Sequence, residues 1–210
     1  MDFSIKADLE EEPGKYDVSL ESCGEDSHRW CYLRDPIMEN YHFTKQGIRL
    51  RGTHITLDHA DSPTFLGIRQ SEFNSELHVI VSGNASEAGI TFYMDENHHY
   101  DLAVIQENSE KKVLLRLHVG DAISISGQCR ISDDIQNIQL KVVSDAIYYS
   151  FFYVDAHDEL MLGRAQTRYL SSEVAGGFTG TVMAMYAVEQ NSLDFDEKWA
   201  EFAELTWKQR

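Results

Sequence analysis

Three glycines within five residues, Gly176-Gly177-Phe178-Thr179-Gly180, set one aromatic side chain on a backbone free to adopt positive φ. Such a loop projects a single ring, and a ring held that way suits stacking on a pyranose face. The same residues also fit a strand over 179–188 that opens with Phe178 packed into a core. Both readings stand at this level. Other chemistry is less well provided for. Glycosidic cleavage needs two carboxyl groups held across the bond, one of them with its pKa raised by burial. Four acidic pairs are present, Asp95/Glu96, Asp133/Asp134, Asp155/Asp158 and Asp194/Asp196, all in polar turns. Turn formation and solubility are the reading taken for them, and no catalytic residue is expected.

Nine histidines raise the question of a metal. His98 and His99 are neighbours on a strand, point to opposite faces and cannot share an ion. His54 and His59 lie near Asp58 and Asp61 in a stretch that reads as surface loop, and nothing has the spacing of a calcium loop. No metal and no cofactor are expected. There is no Gly-x-Ser-x-Gly elbow, no cysteine marked as an activated thiolate and no phosphate-cradling glycine loop. Cys23, Cys31 and Cys129 are an odd count at no ligand spacing, which favours free thiols in a reducing, cytoplasmic setting.

The elements that must carry these residues are strands. Residues 88–105 form two apolar runs around the polar bend Asp95-Glu96-Asn97, a β-hairpin with Ile90, Phe92 and Met94 on one face and Tyr100, Leu102 and Val104 matching them. A hairpin cannot persist alone in water; its apolar face needs a second layer. Further period-two runs occupy residues 30–36, 41–43, 48–52, 64–70, 73–81, 112–119, 122–126, 135–143, 146–154, 161–163 and 178–188. Their spacing is that of a sandwich or barrel, and Ser171-Ser172-Glu173 fits one helical turn. In the aromatic run 148–153, Tyr149, Phe151 and Tyr153 face one way and Tyr148 and Phe152 the other. Residues 197–208 are ambiguous, because Trp199, Phe202 and Leu205 recur at helix-like steps of three.

The chain is long enough, at 210 residues and 42% hydrophobic, to build one sizeable core, and 11% aromatic content fits side chains filling the space between sheets. A formal charge of −17 repels phosphate backbones and anionic headgroups, so nucleic acid and membrane are excluded as partners. Neutral ligands, sugars included, and self-association are left open. No signal peptide or membrane span is visible. Residues 1–29 read as an acidic arm with one edge strand, and residues 30–210 as the folded domain.

Five segments in order, Trp30-Cys31-Tyr32-Leu33-Arg34-Asp35-Pro36, Ile48-Arg49-Leu50-Arg51-Gly52, Ser62-Pro63-Thr64-Phe65-Leu66-Gly67-Ile68-Arg69-Gln70, the central hairpin and Gly176-Gly177-Phe178-Thr179-Gly180, resemble the C-terminal concanavalin A-like domain of family-43 glycoside hydrolases, the β-xylosidases and α-L-arabinofuranosidases. The resemblance covers roughly residues 30–207. It implies an all-β, two-sheet antiparallel sandwich of jelly-roll type, and it selects strand over helix for residues 197–208. In that family a five-bladed propeller carries the catalytic carboxylates, and a sandwich loop places an aromatic ring beside the sugar subsite. By residue matching that loop is 176–180 and the ring is Phe178. The resemblance thus implies a non-catalytic accessory domain partnered by a glycosidase propeller. The alternative is a freestanding carbohydrate-binding module for xylan- or arabinan-derived oligosaccharides, which the chain's own methionine and acidic leader also fit. Two departures are visible: Ile68-Arg69-Gln70 stands where the family has Arg-Arg-Gln, and Glu201-Phe202-Ala203 where it has Asp-Phe-Asp.

Overall fold

The computed structural model describes residues 18–19, 29–107, 110–155, 158–177, 180–190 and 197–209. In chain order the strands are β1 (Val18–Ser19), β2 (Trp30–Cys31), β3 (Tyr41–Thr44), β4 (Gly47–Arg51), β5 (Thr64–Arg69), β6 (Ser75–Gly83), β7 (Glu87–Asp95), β8 (His98–Glu107), β9 (Glu110–Val119), β10 (Ala122–Ile131), β11 (Ile138–Ser144), β12 (Tyr148–Val154) and β13 (Glu159–Gln166). A single helical turn, α1 (Ser172–Ala175), precedes β14 (Val182–Val188) and β15 (Trp199–Gln209). They form two sheets whose ladders are antiparallel throughout. One runs β13-β12-β11-β6-β15-β4-β3, with β1 added beside β15; the other runs β10-β9-β8-β7-β14-β5-β2. The fold is the expected two-sheet sandwich.

Period-two alternation builds the space between the sheets. Phe92 and Tyr100 from the central hairpin meet Tyr149 and Phe151 of β12, with Phe92 and Tyr149 ring centroids 4.4 Å apart and Phe92 edge-on to Phe151 at 6.0 Å. Ile90, Leu102, Phe202 and Trp207 complete this core. Each such side chain, taken fully out of water, contributes about 1.5–3 kcal/mol. Burial alternates cleanly along β12, whose Tyr148, Ser150, Phe152 and Val154 are half-buried on the outer face.

The hairpin departs from the simple expectation of one hidden face. β7 is buried at every position from Ala88 to Met94. The connection between β4 and β5 folds over the outer face of the seven-stranded sheet, and its Leu57 packs with Phe65, Tyr93, Ala103, Leu114 and Tyr186 in a second apolar cluster. Polar side chains that alternation sends to that face are therefore buried.

Residues 197–208 contain a strand, as the resemblance selects, and the helix-like spacing has a local cause. Between Ala203 and Thr206 the register of β15 against β6 slips by one residue, and Glu204 sits at φ +52°. A bulge of this kind reverses which residues face inward. Ala200 and Phe202 face the core before it, Leu205 and Trp207 after it.

Candidate functional site

At one end of the sandwich the connections β5–β6, β11–β12 and β13–β14 surround a cleft of about 480 Å³, lined by Gln70, Phe73, Tyr149, Arg168, Glu173 and Gly180 among others. Tyr149 donates its hydroxyl hydrogen to Gln70 Oε1 at 2.6 Å, fixing the floor. The glycine loop borders this cleft. Gly176, Gly177 and Gly180 have φ of 78°, 73° and 72°, and each faces open space. Their role is conformational, since positive φ is strained for any residue bearing a Cβ. Phe178 and Thr179, the ring-bearing centre of the loop, lie outside the described residues. β14 begins at Val182. Phe73 stands exposed at the mouth, as do Ile147 and Val174, each next in sequence to a lining residue.

A second cluster, which sequence reasoning missed, lies on the outer face of the seven-stranded sheet. The register sets Tyr93 of β7 beside His99 of β8, and His99 beside His118 of β9, in one row across the sheet. The same row continues to Val182 of β14, so it lies at the glycine-loop end. Asp58 reaches down from the covering loop: its Oδ1 lies 3.2 Å from His99 Nε2 and 2.8 Å from His118 Nδ1, and those two nitrogens are 3.1 Å apart. The far nitrogens are also engaged, His99 Nδ1 with Asp101 Oδ1 at 2.9 Å and His118 Nε2 with the Gly120 carbonyl at 3.0 Å. Next along the face, Arg116 forks onto both oxygens of Glu87 at 2.8 and 2.9 Å and reaches Asp101 at 3.5 Å. Tyr186 donates to Glu87 Oε1 at 2.6 Å.

Burial opposes a charge on His99, but the Asp101 and Asp58 carboxylates outweigh it and push the imidazole up to about 9. The hydrogen bond from His99 holds the Asp58 carboxyl well below the usual carboxylate range, against the opposing effect of partial burial. Burial pushes the Glu87 carboxyl up while the Arg116 fork works against it. His98 points the other way and bonds Asp95, as the alternation requires. Asp58 lies near His54 and His59 in sequence, but its carboxylate turns to His99 and His118, and the His59 ring turns back onto the Thr56 amide at 3.0 Å.

Among the described members of the acidic pairs, Asp95, Asp134 and Asp155 hold turns, whereas Glu96 reaches out of its bend. Asp95 accepts from the Asn97 amide, Glu96 pairs with Arg34, Asp134 accepts from Ser132 and Asp155 accepts from the Asp158 amide. Asp194 and Asp196 lie outside the described residues. Cys31 and Cys129 are free thiols; Cys23 is also outside. Among the described residues no helix is long and apolar enough to cross a membrane.

Residues 24–208 match the family model of the β-xylosidase C-terminal concanavalin A-like domain. The chain belongs to this family. A curated relative of this concanavalin A-like domain is the non-reducing end α-L-arabinofuranosidase BoGH43B of Bacteroides ovatus, 32% identical over 203 residues, with 91% of this chain and 37% of that protein covered. The solved structure of the Bacteroides ovatus xyloglucan-locus GH43B superposes with a TM-score of 0.78 at 28% identity, covering 87% of this chain and 37% of that one. A xylan β-1,4-xylosidase from Bacillus halodurans C-125 shares the fold, with a TM-score of 0.74 at 18% identity over 87% and 37% of the two chains. The chain thus spans little more than a third of the length of each of these three relatives. Both departures from the family pattern have a visible setting. Ile68 is buried in the core, where an arginine would need a partner, and Glu201 pairs with Arg49 at 3.1 Å.

Proposed function

We propose that this domain is the non-catalytic accessory domain of a family-43 glycosidase, docking at its glycine-loop end beside a catalytic propeller and lending Phe178 to the sugar subsite. The observation that carries this reading is the family match over nearly the whole chain, together with relatives in which the matching part is only a 37% share. The surface supports it. Around the cleft stand a loop with three positive-φ glycines and the exposed Phe73, Ile147 and Val174, apolar side chains that a docked domain would cover. Among the described residues, Asp95, Asp134 and Asp155 are engaged in turns and Glu87 and Asp101 are held by Arg116, which fits cleavage chemistry supplied by the partner.

The oligosaccharide-module reading is the weaker one. Its best surface, the outer face carrying Tyr148 and Phe152, has Arg164 stacked over Tyr148 at 4.2 Å and Lys141 near Phe152 at 5.7 Å, so these rings are already covered. Assays on the 210-residue chain separate the two. The expected result is no p-nitrophenol release from the β-D-xyloside or the α-L-arabinofuranoside, and no heat with xylo-oligosaccharides. Hydrolysis by the chain alone would overturn the accessory role. Micromolar binding abolished in Phe178→Ala would replace it with the module.

A further inference from the structure

We propose that Asp58, His99 and His118 form a binding site for a zinc-class divalent cation, which ties the loop between β4 and β5 to the outer face of the seven-stranded sheet. The three facing atoms form a triangle with edges of 2.8, 3.1 and 3.2 Å. Tetrahedral zinc with bonds of about 2.0–2.1 Å sets its ligand atoms about 3.3 Å apart, so the triangle needs only slight expansion.

The convergence of three ligand atoms carries the case, and the hydrogen bonds behind them agree with it. The Gly120 carbonyl can only accept, so His118 Nε2 carries its hydrogen; Asp101, fully buried, likewise takes the Nδ1 hydrogen of His99. With both rings neutral, the atoms facing Asp58 are then bare lone pairs, and three acceptors converge. One added proton on His99 satisfies its contact with Asp58 but leaves His118 Nδ1 facing the same carboxylate as acceptor against acceptor. A second proton mends that edge and sets two N–H groups against each other at 3.1 Å. While Asp58 stays ionised, each of these arrangements leaves one edge repulsive, whereas a metal ion satisfies all three. The far-nitrogen bonds to a carboxylate and a backbone carbonyl are the orienting contacts that metal-bound histidines ordinarily make.

Charge points the same way. Glu87 and Asp101 contact Arg116 while Asp58 faces the two histidines; once a metal displaces the proton on His99, three carboxylates stand against that one guanidinium, a deficit that a dication fills. Two imidazole nitrogens with one carboxylate suit zinc, cobalt or nickel, not calcium or magnesium, which take oxygen ligands. The Asp58 side chain is 40% exposed, so the ion has a route from solvent and a side on which water completes its coordination.

The test uses tag-free 210-residue chain, stripped with chelator and titrated with Co²⁺ and Zn²⁺. The expected result is one equivalent of cobalt with visible absorption bands of a tetrahedral centre, displaced by zinc. Zinc at a hundredfold excess over Kd should raise Tm by roughly 5–10 °C. Asp58→Ala, in a loop and checked for folding by circular dichroism, should abolish the bands. Asp101→Asn should weaken cobalt binding about 10–100-fold. His98→Ala, whose ring points away, should leave binding intact. Absence of cobalt bands with Tm unchanged by zinc would overturn the proposal, as would unaltered affinity in Asp58→Ala.

Discussion

Tyr41 carries its hydroxyl from one sheet to the backbone of the other. It sits on β3, at the edge of the eight-stranded sheet, and its oxygen accepts the Phe65 amide hydrogen at 3.1 Å while facing the Phe65 and Pro63 carbonyls at 3.3 and 3.4 Å. The β2 ladder reaches only Gly67 and Ile68 on β5, so Phe65 depends on this side chain for its partner. Burial pushes the Tyr41 phenol up to about 12, consistent with a hydroxyl held neutral between backbone groups. Tyr41→Phe keeps the ring and strands the amide. It should cost about 1–3 kcal/mol in urea unfolding, with an unchanged slope. At this scale the sequence was only partly legible. That His99 turns away from His98 follows from alternation alone. That it meets His118 requires the β8–β9 register, and Asp58 arrives from 41 residues upstream through a loop whose path no local pattern specifies. A mid-strand His99-x-Asp101 facing a buried layer was the available signal. Its weight depended on knowing that both faces of the sheet are covered.

Among the elements, the two edge strands β10 and β13 show how the sandwich closes along one side. A Cβ on Gly127 would lie 2.0 Å from the Leu162 carbonyl oxygen, and one on Gly163 would meet Ser126 Oγ at 2.6 Å and Leu115 Cδ2 at 2.9 Å. The paired glycines let backbone touch backbone across the layers. A register shift between Ile125 and Gly127 turns β10 into that contact. Gly127→Ala cannot be absorbed by a flexible side chain, because the obstacle is main chain. It should destabilise by about 3 kcal/mol, read as a lower denaturation midpoint. Strand positions and faces were legible because period two holds along β6, β11 and β12. It failed where the ladders slip. The three-residue step of Trp199, Phe202 and Leu205 is a strand with one residue too many at Glu204, and a bulge leaves no mark that hydrophobic pattern alone distinguishes from a helix.

For the whole molecule, the two layers are unequal. The eight-stranded sheet shows half-buried polar and aromatic side chains outward, whereas the centre of the seven-stranded sheet, β7 and β14, is covered on both faces, with an ionic network beneath the β4–β5 connection. The cleft, the glycine loop and the His99–His118 row gather at one end, so any partner docking there meets the stiffened end of that sheet. The layer architecture was readable from strand spacing and aromatic content. Which face of which sheet would be sealed was not, because it depends on where one connection lies down.

Val18 and Ser19 pair with Trp207 and Thr206, taking over the flank of β15 where β4 has ended at the Ala203–Gly47 pair. Two residues from far upstream thus act as a clasp on an otherwise open rim of main-chain donors and acceptors. A chain shortened to begin at Arg29 should exchange amide hydrogens faster at residues 206–207, as followed by mass spectrometry. It should also gain mass with concentration in light scattering, as bare strands recruit one another. The acidic leader would then serve as a guard against self-adhesion, its charge keeping copies apart while its short ladder denies them a foothold.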